Sequence, residues 1–288
     1  MPNEFSVRYG ALTVRYVGEE LGLSRHLEPF LEREKPADLT VYISRPTQVT
    51  PPEGTLFWQS EEERVYRDGS RTLHYFTFIP PVSKDYVRLC SDEAIPDRLS
   101  LELLQELPFR ADKVLLSYLE MERVLHQRGQ TVLHASWVMR EGMALLFSGY
   151  SGVGKSTQAE LWHRFRGARI INGDKVGIAF PNGRVTAVGM PFAGSSKYYE
   201  DASAPVRAIV MLEHAPTDTI RRLSTQEAVR LLARQMPCQR WCASDVAAVL
   251  DYAGQIAAEI PVYLLCCTKE ESAVALLERT LEGEADGT

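Results

Sequence analysis

Apolar and polar positions alternate through the first third of the chain. Phe5-Ser6-Val7-Arg8-Tyr9, the run from Leu12 to Val17 and the run from Leu39 to Ser44 each follow the period of two expected of half-buried strands. Gly54 to Trp58 and Leu73 to Ile79 continue the pattern, and Arg67-Asp68-Gly69-Ser70 between them carries a hairpin turn signal. Residues 1–96 are therefore expected to form a small, β-rich, mainly antiparallel module with no catalytic signature. His26 and His74 fall within it and are expected to be surface or packing histidines. From residue 97 the pattern changes. Leu101, Leu103, Leu104, Val114, Leu115, Tyr118, Leu119 and Val124 form a stripe at helical spacing, interrupted by Pro108, which predicts a helical bridge over 97–130.

A second unit is expected over 131–282. Thr131 to Met139 reads as a strand carrying His134, and Arg140-Glu141-Gly142 turns the chain into the apolar run Met143 to Ser148. Ser156 to Phe165 reads as a helix, and Ala168 to Ile178 as strand material containing Asn172-Gly173-Asp174. Asn182-Gly183 marks a hairpin tip. The stretch from Pro191 to Tyr199, rich in small and polar residues, is loop chemistry. Val206 to Leu212 and Pro261 to Cys267 are further strands. Ser224-Thr225-Gln226-Glu227 is a capping box for a helix that Pro237 ends, Ser244 starts a second helix, and Thr268 to Glu271 opens a third. Residues 283–288 are expected to be a disordered tail.

Composition restricts the function classes. The chain has 288 residues, 45% of them hydrophobic and 24% charged, as ordinary globular proteins do. A formal net charge of −6 without a basic stripe argues against a nucleic-acid binder. The first residues lack a basic start followed by an apolar core, and no apolar run approaches the roughly 20 residues that span a bilayer, so a cytoplasmic protein with no membrane association is expected. The cysteines, Cys90, Cys238, Cys242, Cys266 and Cys267, are odd in number and scattered, which fits neither a disulfide framework nor a zinc knuckle.

The chemistry is concentrated in Gly149-Tyr150-Ser151-Gly152-Val153-Gly154-Lys155-Ser156-Thr157, which has the spacing of a phosphate-binding loop. Glycines let the backbone curl until successive N–H groups of Gly152, Val153 and Gly154 point into one anion-sized hollow. Lys155 is placed to reach the β/γ-phosphates, and the Ser156 hydroxyl to hold Mg²⁺. A buried strand before the loop and a helix after it are the flanks such a loop requires. The expected ligands are ATP and Mg²⁺.

His134 on the strand before the loop strand, the wording of the loop itself, and Arg169-Ile170-Ile171-Asn172-Gly173-Asp174-Lys175-Val176 after the loop helix occur together. In this arrangement residues 131–189 resemble the catalytic domain of the HPr kinase/phosphorylase family, which is related to the phosphoenolpyruvate carboxykinases. The resemblance implies an α/β P-loop domain of the HPr kinase/PEP carboxykinase type, preceded here by a smaller β-rich N-terminal domain. It further implies that His134 lies near the transferred phosphate, that Ser151 to Thr157 bind the triphosphate, and that Asp174 serves the metal, with Ser156, and the attacking hydroxyl. Where that family has two adjacent aspartates this chain has Gly173-Asp174, so one carboxylate is missing and Asp174 can take only one of those roles unaided, a departure that counts against the reverse, phosphorylase activity. The implied activity is transfer of the γ-phosphoryl group of ATP to a hydroxyl, above all serine or threonine of a protein or peptide. A small-molecule kinase would need an enclosed acceptor pocket around Ser195, Ser196 and Lys197, and a regulatory module would bind nucleotide without turnover. Lys197 and Lys175 are further candidates for phosphate or acceptor contacts, and a homo-oligomer is compatible with the resemblance.

Overall fold

The computed structural model describes residues 3–18, 23, 25–48, 51–77, 85–104, 118–192, 194 and 196–285. It is a mixed α/β protein of two compact units, Met1–Val124 and Leu125–Thr288.

The first unit is built on one nine-stranded sheet. Its strands are β1 (Asn3–Tyr9), β2 (Leu12–Gly18), β3 (Leu31–Glu32), β4 (Leu39–Ser44), β5 (Thr55–Gln59), β6 (Glu63–Asp68), β7 (Arg71–Thr77), β8 (Asp85–Asp92) and β9 (Arg98–Leu103). They lie in the order β3-β1-β2-β4-β9-β8-β7-β6-β5. Pairing is antiparallel except at β2–β4 and β4–β9. Alternation selects one buried face: Val7 and Tyr9, Val14 and Tyr16, Leu39, Val41 and Ile43, and Val87 and Leu89 are all buried.

The expected bridge over 97–130 requires correction. Leu99, Leu101 and Leu103 are the buried positions of β9, a central strand between β4 and β8. Their spacing of two is the strand period, and pairing on both sides outweighs the local helix stripe. The β-rich unit thus extends past residue 96. Helix α1 (Met121–His126) is the helical part of this stretch among the described residues; Pro108, Val114 and Leu115 lie outside them.

The second unit contains β10 (Gln130–Arg140), β11 (Met143–Ser148), β12 (Arg169–Asn172), β13 (Lys175–Ala179), β14 (Thr186–Val188), β15 (Ser203–His214), β16 (Thr219–Arg222) and β17 (Val262–Cys267). The helices are α2 (Lys155–Arg166), α3 (Thr225–Ala233), α4 (Ala243–Glu259) and α5 (Glu271–Ala285). Two long strands change partners along their length. β10 pairs with β13 through residues 130–134 and with β11 through 135–140. β15 pairs with β14 through 203–205, then runs parallel to β11 and to β17. Strands β10, β11, β15, β14 and β13 consequently close a ring of pairings.

Each face of this sheet system has its own core. Leu133, Trp137, Leu146, Ile209 and Met211 pack with Leu232 of α3 and Val249 and Ile256 of α4. On the other side Phe147, Val210 and Leu265 pack with Trp162 of α2 and Val274 and Leu277 of α5. Glu278 of α5 accepts from Arg140 of β10 at 2.5 Å and from Arg166 of α2 at 2.6 Å, fixing the far end of the loop helix. α3 opens with the expected capping box, Ser224 with Glu227. α5 is held at its start by Asp218, whose carboxylate accepts the Thr268 N–H at 2.6 Å and the Ser272 hydroxyl. It runs through Ala285, so residues 283–285 are helix where a disordered tail was expected. Buried Leu277 and Leu281 anchor that last stretch, offsetting the cost of about 1 kcal/mol for Gly283 in a helix. All five cysteines are free thiols, and no helix among the described residues is long and apolar enough to cross a membrane.

Candidate active site

The site lies where β11 ends. From Ala144 to Ser148 every residue of this strand is buried, and its backbone pairs with β10 on one side and with parallel β15 on the other. Ligands of open α/β sheets collect at the carboxyl ends of such strands. Residues 149–154 form the loop, and α2 begins at Lys155. Gly149, Gly152 and Gly154 have φ of 142°, 82° and 103°, a region that side-chain-bearing residues rarely adopt. A Cβ on Gly149 would stand 3.2 Å from the Leu212 carbonyl oxygen, whereas one on Gly152 would meet nothing within 4 Å. Backbone conformation thus favours glycine at both positions, and tight packing adds to it at Gly149. Val153, 3% exposed, anchors the loop in the core beneath it.

The N-terminus of α2 has no side-chain cap: its N-cap is Gly154. The leading N–H groups of a helix need acceptors and carry its positive dipole end, so this terminus suits an anion. Lys155 donates to the carbonyls of Gly149 at 3.1 Å and Tyr150 at 3.2 Å, lying across the loop's own mouth. Burial lowers its pKa below the ordinary lysine value, opposed by the charge of Asp174. Ser151 and Ser156 are exposed and Thr157 is half-buried.

The opposite wall is the turn between β12 and β13. Asn172, fully buried, organises it. Its Oδ1 accepts the N–H groups of Asp174 at 2.8 Å and Lys175 at 3.1 Å, while its Nδ2 donates to the carbonyls of Met190 and Phe192, each at 3.1 Å. β10 holds the same turn from the other side. Ser136 Oγ donates to the Gly173 carbonyl at 3.2 Å, and the Ala135 N–H to the Asp174 carbonyl at 3.0 Å. His134 sits at the residue where β10 changes partner, opposite Lys175 in register. The Ser148 hydroxyl donates to its carbonyl at 2.8 Å, tying the end of β11 to it.

These supports set His134 Nε2 3.3 Å from Asp174 Oδ1, with both side chains about one-third exposed at 33% and 28%. The hydrogen bond from His134 holds the Asp174 carboxyl below its usual range; burial opposes this, and the charges of His134, Lys175 and Lys155 reinforce it. Asp174 is therefore ionised at neutral pH. The loop and this pair face one cavity of about 500 Å³, whose lining includes His134, Lys155, Ser156, Asp174, Ser196 and Lys197. Lys175 directs its ammonium toward the Phe192 ring at 5.1 Å, and Lys197 toward that of Tyr198 at the same distance. Ser195 lies outside the described residues.

Of the residues the sequence singles out, His134, Ser151, Gly152, Lys155, Ser156 and Asp174 line this one cavity, whereas Gly149, Val153, Gly154 and Thr157 are not part of its lining. Asn172, Ser136, Ser148 and the pair Tyr198–Glu160, joined at 2.8 Å, were not chosen. A polar Asn ending an apolar strand was the available signal, since Asn is depleted in strands and favours turns.

No protein-family model matches the chain, and no curated protein matches it. Among solved structures, the HPr(Ser) kinase/phosphatase from Coxiella burnetii is similar over 54% of this chain and 98% of its own, at 12% identity and a TM-score of 0.35. That likeness is distant, and the functional reading rests on the site itself.

Proposed function

We propose that the second unit is an ATP-dependent kinase that transfers the γ-phosphoryl group to a hydroxyl, with serine or threonine of a protein or peptide as the acceptor class. The observation that carries this reading is an uncapped phosphate-type loop facing an ionised carboxylate, Asp174, paired with His134 across one cavity. The loop N–H groups and Lys155 hold the triphosphate, Lys155 exchanging its carbonyl partners for phosphate oxygens. Hard oxygen donors, the Ser156 hydroxyl and the Asp174 carboxylate, suit Mg²⁺, which keeps several waters and takes few protein ligands. When bound, Mg²⁺ neutralises charge developing on the transferred group. The Asp174–His134 pair orients the acceptor hydroxyl and takes its proton. Asp174 would then both hold the metal and face the acceptor hydroxyl, and His134 would share the proton so that the carboxylate could stay free to hold the metal. A net charge of −6 fits a protein or peptide partner better than nucleic acid. A cytoplasmic location and a homo-oligomer belong to the same proposal. A small-molecule acceptor is the second reading, favoured by Ser196, Lys197 and Tyr198 on the cavity wall.

The test is ATP consumption with Mg²⁺ by the wild type, Lys155→Ala and Asp174→Asn, with nucleotide affinity titrated in parallel. Lys155→Ala is expected to lose both affinity and turnover. Asp174→Asn is expected to keep nucleotide binding and to lose turnover by about 10²–10⁴-fold, the usual share of a positioned base. Tight Mg·ATP binding without turnover in the wild type, with serine- and threonine-bearing acceptors and small alcohols present, would show a regulatory module instead.

A further inference from the structure

The segment facing Asp174 brings a hydroxyl of its own. Phe192, Tyr199 and Glu200 are all held against the end of β12: Asn172 Nδ2 donates to the Phe192 carbonyl, Asn172 forms a bridge with Tyr199, and the Glu200 N–H donates to the Ile171 carbonyl at 3.0 Å. Between these anchors Tyr198 reaches α2 through its hydroxyl, which donates to Glu160 at 2.8 Å. Two glycines make the approach possible. A Cβ on Gly173 would stand 2.2 Å from Ser196 Oγ, and a Cβ on Gly194 would stand 2.6 Å from Asp174 Oδ2. A Cβ at Gly173 would force the Ser196 side chain to shift and one at Gly194 the Asp174 carboxylate, and Gly194 also has a φ of 55°, so glycine at both positions is what lets Ser196 and Gly194 lie against the Gly173-Asp174 turn. Half-buried Ser196 thus touches the residue beside Asp174 and lines the cavity shared with Lys155 and Ser156. Its Oγ accepts the Tyr198 N–H at 3.1 Å, a bond that does not use the hydroxyl's own proton.

We infer that Ser196 is a phosphorylation site, modified in cis by this same cavity. The inference rests on the kinase reading above. A hydroxyl held at the site by its own chain needs no encounter, and such intramolecular placement raises the effective concentration of a reactant enormously. In the step, a bond forms between Ser196 Oγ and the γ-phosphorus, and the bond from that phosphorus to the β,γ-bridging oxygen breaks. The bonding electron pair leaves with ADP, and the hydroxyl proton passes to the Asp174–His134 pair. The product is a phosphoserine with close to two negative charges, facing Lys155 and Lys197 along the cavity wall. It therefore occupies phosphate-binding groups that the next nucleotide would need. The site accordingly labels once and does not turn over on itself.

The experiment is incubation of the full chain with Mg·ATP, followed by intact mass measurement, peptide mapping and a parallel nucleotide-binding titration. Expected is one added phosphoryl group, mapped to Ser196, at a rate per molecule that does not change with protein concentration. Ser196→Ala is expected to lose the label and Ser196→Thr to keep it. Gly173→Ala, which displaces the Ser196 side chain, is expected to slow labelling on the order of 10²-fold, the cost of about 1 Å of misplacement. ATP bound but no phosphoryl group gained, label on another residue, or a rate proportional to protein concentration would each overturn the inference while leaving the kinase reading standing. Absence of nucleotide binding would overturn that reading first.

Discussion

Asn172→Ala removes the side chain that joins the Asp174 turn to the 190–192 segment, and its cost can be worked from four hydrogen bonds. Two are donated to the Met190 and Phe192 carbonyls and two are accepted from the Asp174 and Lys175 N–H groups. At about 0.5–1.5 kcal/mol net for each bond the loss lies between about 2 and 6 kcal/mol. Asn172 is fully buried, but Asp174 and Lys175 are half-exposed, so water can replace partners for the two N–H groups and not readily for the carbonyls. The expected destabilisation is therefore about 3–4 kcal/mol, a large share of the 5–15 kcal/mol typical of a folded domain. Asn172→Asp separates two explanations. Asp is an excellent turn residue and keeps both accepted bonds, but it sets a carboxylate against two carbonyl oxygens. If the tie to Met190 and Phe192 matters, Asn172→Asp should cost about 2–3 kcal/mol, with both neutral donations lost. Urea unfolding followed by tryptophan fluorescence reads the second unit well, because Trp137, Trp162 and Trp241 all belong to it. A value for Asn172→Asp within about 0.5 kcal/mol of wild type, the scatter of neutral surface changes, would refute the argument and reduce Asn172 to a turn former.

Two further outcomes are expected. In the first unit His74 is buried between Glu120, bonded to Nδ1, and Glu63, bonded to Nε2 at 2.7 Å. Burial would lower the His74 pKa, but the two carboxylates outweigh it and hold it above 6.5; Glu120, which burial would raise, is held below 4.5 by His74 and Arg123. The His74 contribution is complete below pH 6.5 and lost as pH rises through its folded pKa, while that of Glu120 is complete above 4.5 and lost as pH falls through its own. Thermal unfolding of the first unit's sheet, followed by circular dichroism, should decline from pH 6.5 upward more steeply in wild type than in Glu120→Gln; parallel curves would contradict the assignment. Ser224→Ala breaks the capping box of α3 and is expected to cost about 1 kcal/mol in the second unit's urea transition. No change in midpoint would mean that packing of Ala228 and Leu232 alone sets that helix start.

What could be read from sequence was what depends on neighbours along the chain. The apolar run 143–148, the glycines after it and the helix from Lys155 define a strand, loop and helix within about two dozen residues, and each signal agrees with the next. The Ser224 box and the Asn182-Gly183 tip are equally local, with Asn182 at φ 54° as such a turn demands. β9 shows the limit. Leu101 and Leu103 belong to a helix stripe and to a strand alternation alike, and only pairing with β4 and β8 decides between them. The same holds for His74 with Glu120 and for His126 with Asp245, bonded at 2.7 Å across 119 positions.

Gly173 carries this furthest. In the sequence it stands where a carboxylate was expected, and it reads as a loss. In the fold its missing side chain is occupied space, because Ser196 fills the volume a Cβ would need. Any larger residue at 173 must displace the Ser196 side chain, and a Cβ on Gly194 would likewise displace the Asp174 carboxylate. The two glycines and the serine are then one arrangement spread over 24 positions, visible only once Asn172 has tied both ends of the loop to β12. Restoring a carboxylate by Gly173→Asp should therefore not add a second metal ligand to an otherwise unchanged site. It should displace Ser196, and any gain in metal binding would come with loss of the close contact that places a hydroxyl beside Asp174.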